Sequence, residues 1–107
     1  MQIRIPHIQL SLADALRRCG YGFERQHTES QEVSATRQLA RADFPRLHIY
    51  AKFVRSKDNA GNDLLINLHL DQKKPSYGNQ TAHSGEYEGP ILDEEVKRVQ
   101  NILASIS

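Results

Sequence analysis

The strongest constraint on the fold is a pair of segments in which apolar and polar residues alternate on either side of a turn sequence. In the first segment the apolar residues are odd-numbered, from Leu47 to Phe53, and in the second they are even-numbered, from Leu64 to Leu70. The connecting sequence SKDNAGN is rich in Asn, Asp and Gly, which favour tight turns. Because a period of two is typical of strands that bury one face, the sequence predicts a β-hairpin.

The parity of the two apolar rows also restricts the register of this hairpin. Facing residue numbers must add to an odd value, because any other pairing would turn one apolar row to water. Sums near 119 or 121 are compatible with a loop of six or four residues. Either sum would place Tyr50 and Lys52 near His69 and Asp71 on the polar face.

Two helices are predicted to flank the hairpin. Ser11 is a suitable N-cap for a short first helix, and Gly20 is suited to end it in a left-handed conformation. A second helix is expected to begin near Pro90, and its apolar residues recur every three or four positions. These residues are Leu92, Val96, Val99, Leu103 and Ile106. The stripe is short for a dimeric coiled coil, so we expect it to pack on the apolar face of the sheet.

Two further segments complete the predicted fold. The N-terminal residues fit a short edge strand that is stopped by Pro6. Residues 31–40 fit either a strand or a helix, and we favour a strand because Val, Ser and Thr are weak helix formers. The sequence thus predicts a single α+β domain over residues 1–107. Its sheet is mainly antiparallel with three to four strands, and an N-terminal and a C-terminal helix are packed on one face.

Composition excludes several classes of protein. No apolar run is long enough to span a bilayer, and the N-terminal sequence lacks the apolar core of a secretory signal. The chain has one cysteine, Cys19, so it cannot form an internal disulfide or a cysteine-rich zinc module. A cytoplasmic location is expected on this ground. Cys19 falls on the apolar stripe of the first helix, which predicts a buried and unreactive thiol.

The charge is nearly balanced over the whole chain but is distributed unevenly. The formal net charge is +1, which is too small to indicate a nucleic-acid or membrane partner. Residues 1–57 contain ten Arg or Lys and five Asp or Glu, whereas residues 58–107 contain four and eight. The simplest interpretation is that the two halves pack together and offset each other's charge. The alternative is a basic face that meets an anionic partner.

A polar loop over residues 72–90 joins the hairpin to the last helix. Loops of this length are uncommon in compact domains and tend to be functional or disordered. We expect this loop to cover the polar face of the sheet and to form a binding surface with it. The predicted binding residues are Tyr50, Lys52, His69, Asp71, Lys73, Tyr77, His83, Glu86 and Tyr87.

A subset of these residues is suited to bind a divalent metal ion. His69 and Asp71 would lie on one strand face about 7 Å apart, and the loop could return His83 and Glu86 to them. Two imidazoles and two carboxylates suit Zn²⁺ or a similar ion. These short spacings also arise by chance, and hydrogen bonds that fix the loop would account for the same residues.

Other chemistries have weaker support. Basic and aromatic residues interleave around Tyr21 and again around Tyr50, as in sheets that bind nucleic acid, but the aromatic ribonucleoprotein signature is absent. Ser84 lacks the G-x-S-x-G context of a nucleophile. We therefore predict a small non-catalytic binding module whose partner is a protein or a second copy of the chain. The alternative is a metal-dependent hydrolytic or nucleic-acid-processing enzyme, centred on His69, Asp71, His83 and Glu86.

Overall fold

A computed structural model describes residues 1–39, 41, 45–71, 85–86 and 89–106. The strands and helices within these residues are numbered in the order in which they occur along the chain. In chain order they are β1 (Gln2–Ile5), α1 (Leu12–Arg18), β2 (Gly22–Gln26), β3 (Val33–Gln38), β4 (Arg46–Arg55), β5 (Asn62–Asp71), β6 (Gly85–Glu86) and α2 (Pro90–Ile106). The fold belongs to the α+β class, as predicted. Neither helix, over the residues described, has the length and apolar character needed to cross a membrane.

The strands form one antiparallel sheet in the order β1-β5-β4-β3-β2. The short strand β6 pairs with the C-terminal end of β5, where Gly85 faces Asp71 and Glu86 faces Leu70. The strand interpretation of residues 31–40 is confirmed by β3, and the predicted N-terminal edge strand is β1. The expected three to four strands are too few, because β2 and β6 were not predicted. All five residues of β2 are exposed, so this strand has no apolar alternation that could reveal it.

The β4–β5 hairpin has the predicted parity but a different register. His48 faces His69 and Tyr50 faces Asn67, so facing numbers add to 117 rather than to 119 or 121. The connection between the two strands has six residues, 56–61. A six-residue connection with a sum of 119 would instead comprise residues 57–62, so the observed turn begins one residue earlier than predicted. Ser56 leaves the ladder, is buried, and donates its hydroxyl to Asp63. The shift places His48, not Tyr50, directly across from His69.

The apolar face of the sheet carries the hydrophobic core. The apolar residues of β4 and β5 that point to this face are at most 2% exposed, except Phe53 near the end of β4, which is 39% exposed. Buried side chains of both helices complete the same core. Those from α1 and its C-cap are Ala15, Leu16 and Cys19, and those from α2 are Leu92, Val99 and Leu103. The predicted burial of Cys19 is confirmed, and burial raises the pKa of its thiol.

The boundaries of α1 follow the predicted signals. The Ser11 hydroxyl accepts a hydrogen bond from the Asp14 backbone N–H at 3.1 Å. Gly20 has a φ of 86°, and the backbone N–H of Tyr21 donates to the Leu16 carbonyl at 3.0 Å. The helix therefore ends in the left-handed conformation that glycine adopts without strain.

Ion pairs join the basic and acidic halves of the chain. Arg4 contacts Asp63 at 2.6 Å, and Arg37 contacts Glu95 at 2.9 Å. A further pair, which lies on the opposite face of the sheet from the helices, joins Arg46 to Asp71 at 3.2 Å. These contacts agree with the interpretation that the uneven charge is balanced within the fold.

Candidate functional site

The polar face of the sheet lies opposite the helices and presents the residues that alternate with the core rows. On β4 these include Arg46, His48, Tyr50 and Lys52, and on β5 they include Asn67, His69 and Asp71. Because facing residues of an antiparallel pair share a face, His48 meets His69 and Arg46 meets Asp71. This end of the hairpin therefore concentrates imidazole and carboxylate groups.

His48, His69 and Asp71, here called the histidine cluster, are in direct contact. Asp71 Oδ2 is 3.2 Å from His48 Nδ1, and Asp71 Oδ1 is 3.0 Å from His69 Nδ1, although the latter nitrogen does not meet hydrogen-bond geometry. The two imidazole rings are tilted, with centroids 4.8 Å apart. The side chains are only 9%, 14% and 17% exposed, in the order named. A carboxylate thus holds both rings in a partly desolvated position.

Burial lowers the pKa of His69, and the electrostatic effect of the neighbouring His48 ring acts in the same direction. The negative charge of Asp71 opposes it, but the pKa remains below its usual value. The direction of this shift favours the neutral form of the His69 ring. A neutral imidazole carries a nitrogen lone pair that can accept a proton or bind a metal ion.

Arg46 and Glu24 surround the histidine cluster with opposite charges. Arg46 Nε donates to Asp71 Oδ2 at 3.2 Å, and its guanidinium also approaches Glu24 at 3.9 Å. Glu24 Oε1 lies 3.2 Å from His48 Nε2, although this buried nitrogen does not meet hydrogen-bond geometry. The hydroxyl of Ser34 donates to Glu24 Oε1 at 3.3 Å. Glu24 is therefore held beside His48 from the neighbouring strands.

A bulge in β2 accounts for the position of Glu24. The pairing of β2 with β3 is regular at Phe23, which faces Ala35, and then shifts before Arg25, which faces Ser34. An extra residue in one strand leaves the ladder and changes the direction of its side chain. Here the extra residue is Glu24.

Tyr50 joins the two cluster histidines to a third. Its ring stacks on His48 with centroids 4.6 Å apart and on His69 with centroids 5.6 Å apart. The ring of His27, which follows β2, lies 5.9 Å away in a tilted orientation. We call these four side chains, His27, Tyr50, His48 and His69, the ring ladder. The Nε2 atom of His27 is buried and makes no hydrogen bond to the part of the chain that the structure describes.

The structure brings together some of the predicted site residues and leaves others untested. Tyr50, His69 and Asp71 do share one site. Lys52 lies on the same face but is displaced along the strand, where it faces Leu65. The backbone of Glu86 lies in β6, whereas Lys73, Tyr77, His83 and Tyr87 lie outside the described residues.

The predicted set of binding residues omitted four residues of the site. His48 and Arg46 alternate with the core row of β4, so a correct register would have identified them. Glu24 and His27 belong to or follow the exposed strand β2, whose sequence carries no periodic signal. Only the pairing of β2 with β3 places these two residues beside the hairpin.

No model of a protein family, no curated protein and no solved structure matches this chain. The chemistry of the polar face is compatible with three activities. It can bind a partner through stacked rings and charges, hold a divalent ion, or transfer a proton through a neutral imidazole.

Proposed function

We propose that this chain is a small non-catalytic binding module that contacts a protein partner through the polar face of its sheet. The observation that carries the proposal is the ring ladder. Tyr50 contacts all three histidine rings, and His48 and His69 also contact each other, on the face that does not carry the hydrophobic core. The histidine side chains of the ladder are only 9% and 14% exposed at His48 and His69, so a partner would contact the partly exposed ring of Tyr50 and the charged side chains around it.

The energetics of interfaces support this assignment. Tyrosine and arginine are enriched at protein interfaces, because they combine large apolar area with hydrogen-bonding groups. Tyr50 lies at the centre of the ladder, in contact with three histidine rings that limit its rotation. Little side-chain entropy would then be lost when a partner covers it.

The distribution of charge favours a second copy of this chain as the partner. Glu24 and Asp71 are acidic, whereas Arg46 and Lys52 are basic, and all four lie on or beside the polar face. A surface with both signs is self-complementary when a two-fold axis places the acidic part of one copy against the basic part of the other. We therefore propose a symmetric dimer.

Sedimentation over a range of concentrations tests this proposal. The wild-type chain should form a dimer at high concentration and dissociate on dilution. Tyr50→Ala should weaken self-association by at least about tenfold, as expected for truncation at the centre of an interface. Lys97→Ala, on the exposed side of α2, is the matched control and should leave the dissociation constant unchanged.

Two results would contradict the proposed dimer. A wild-type chain that remains monomeric at the highest concentrations would exclude a second copy as the partner. Equal weakening by Tyr50→Ala and Lys97→Ala would show that the interface does not lie on the polar face.

A metal-dependent hydrolytic or nucleic-acid-processing enzyme is the second candidate, and the contact between Asp71 and His69 favours it. The 3.0 Å contact brings an imidazole and a carboxylate together at one site, and these are the residue types that hold the metal ion of many hydrolytic enzymes. This candidate predicts that the chain with Zn²⁺ or Mn²⁺ hydrolyses bis(p-nitrophenyl) phosphate or a short RNA. His69→Gln should abolish that activity, and a wild-type chain without turnover would remove the candidate.

A further inference from the structure

We infer that the histidine cluster binds a divalent transition-metal ion, with one nitrogen each from His48 and His69 and one carboxylate oxygen from Asp71 as ligands. This site lies within the polar face, but it does not depend on the proposed dimer. A monomeric chain would bind the ion equally well.

The three ligand atoms are already close enough to share an ion. They lie within 4.8 Å of one another. Zinc bonds of about 2.0–2.2 Å place the ligands of a tetrahedral site roughly 3.3 Å apart. His48 and His69 are fixed by direct cross-strand pairing, and Asp71 lies two residues further on the same face of β5. Side-chain rotations alone can therefore close the set.

The surroundings of the cluster are those that metal-binding histidines require. A ligating imidazole usually has its other ring nitrogen beside a carboxylate, which fixes the ring and increases its basicity. Nε2 of His48 lies 3.2 Å from Glu24 Oε1, and Ser34 holds that carboxylate in place. Nδ1 of His48 then remains for the ion, at the position where it now contacts Asp71.

Asp71 can ligate the ion without losing its contact with Arg46. One carboxylate oxygen can bind the metal, while Oδ2 retains the hydrogen bond from Arg46 Nε. Such hydrogen bonds to ligating carboxylates are common around metal ions. The negative charges of Asp71 and Glu24 exceed the positive charge of Arg46 by one, which favours a cation at the cluster.

The ligand chemistry selects the class of ion. Two imidazoles and one carboxylate suit Zn²⁺, Co²⁺ and Ni²⁺, whereas Mg²⁺ and Ca²⁺ prefer sites built from oxygen atoms. Three protein ligands leave one position of a tetrahedral ion for water or for a group from a partner. The inferred site is thus selective among cations and open to a fourth ligand.

Titration of the full, tag-free chain with Zn²⁺ in a calorimeter tests this inference, with Mg²⁺ as the comparison ion. We expect one Zn²⁺ per chain and no detectable Mg²⁺ binding. His69→Gln and Asp71→Asn should each weaken Zn²⁺ binding by about 100-fold or more, because even residues that only support ligands contribute 10–100-fold. His7→Gln is the matched control, since His7 is an exposed histidine that pairs with Asp58 instead, and its affinity should be unchanged.

Imidazole nitrogen resonances of the wild-type chain provide a readout that does not depend on the folding of any variant. Addition of Zn²⁺ should shift the resonances of His48 and His69 and leave those of His7 unchanged. The inference is overturned if Zn²⁺ does not bind, if His69→Gln binds as tightly as the wild type, or if only His7 responds. These outcomes differ from a failure of the proposed dimer, which sedimentation measures without added metal.

Discussion

The carboxylate of Glu95 lies on the buried side of α2, where three side chains donate hydrogen bonds to it. The residue is 3% exposed. It accepts hydrogen bonds from the Tyr21 hydroxyl at 2.6 Å, from Arg37 at 2.9 Å and from Arg98 at 2.8 Å. Arg98 also donates to the backbone carbonyl of Cys19, so the Arg98 guanidinium links α2 to the end of α1. A buried charge is tolerated when its lone pairs are used in this way.

Replacement of this carboxylate should destabilise the protein measurably. Glu95→Gln removes the negative charge that both arginines face, and we expect a loss of about 2–3 kcal/mol in the free energy of unfolding. Urea denaturation at pH 7 measures the effect. Glu94→Gln, at an exposed neighbouring position, should change stability by less than about 0.5 kcal/mol. Similar losses in the two variants would contradict a structural role for Glu95.

The same group predicts a pH dependence of stability. Burial by itself raises the pKa of Glu95, but hydrogen bonds from Arg98, Arg37 and Tyr21 lower it below its usual value in the folded protein. A carboxyl group whose pKa is lower in the folded state stabilises the fold above its unfolded pKa, about 4.3. That contribution is lost as the pH falls through the folded-state pKa. The stability difference between wild type and Glu95→Gln should therefore shrink in urea denaturation below about pH 4.3. A constant difference from pH 7 to pH 3 would contradict this.

At the scale of an element, α1 ends at Gly20, which has a left-handed backbone and lies close to the side chain of Arg37. Gly20 has a φ of 86°, and a Cβ atom added there would lie 3.3 Å from Cδ of Arg37. An alanine at this position would therefore have a strained backbone conformation, and its Cβ atom would crowd Arg37, which pairs with Glu95.

Gly20→Ala is expected to reduce the free energy of unfolding by about 1–2 kcal/mol, the cost of a left-handed conformation for a residue with a Cβ atom. Gly22→Ala provides the control, because Gly22 is not in the left-handed region and an added Cβ would meet only the Thr36 carbonyl, at 4.0 Å. Urea unfolding of the two variants should separate them. If Gly22→Ala is as destabilising as Gly20→Ala, the strain at Gly20 is not the cause.

At the scale of the whole molecule, β5 is the element on which the rest of the sheet depends. It lies between β1 and β4 in the sheet, although β1 precedes both of them in the chain. It also carries two residues of the histidine cluster and the backbone partners of β6. Among the strands that the structure describes, β1 pairs with β5, and β5 contributes the buried row Leu64, Ile66, Leu68 and Leu70 to the core.

Division of the chain in the β4–β5 turn should therefore abolish independent folding. A fragment of residues 1–57 is expected to show no cooperative unfolding transition by circular dichroism. Addition of the fragment 58–107 should restore one, since the ion pairs between the halves and the β4–β5 ladder both favour association. Cooperative unfolding of residues 1–57 alone would contradict this dependence on β5.

The sequence by itself determined those features that depend on neighbours along the chain. The alternation of β4 and β5, the Ser11 cap, the left-handed Gly20 and the stripe of α2 were all predicted and are present. The physical reason is that period, capping and backbone conformation act within a few residues. His69 and Asp71 were predicted to share a strand face for the same reason.

The tertiary structure alone decided how the site is assembled. The exit of Ser56 from the ladder shifted the hairpin register and brought His48 to His69. Pairing of β2 with β3 brought Glu24 to His48 from a strand whose exposed sequence lacks any periodicity. Register and strand order are set by contacts between residues far apart in the chain, because those contacts fix which faces are buried together. A local pattern therefore predicts the type of each element, whereas the set of side chains that meet at the histidine cluster depends on the assembled sheet.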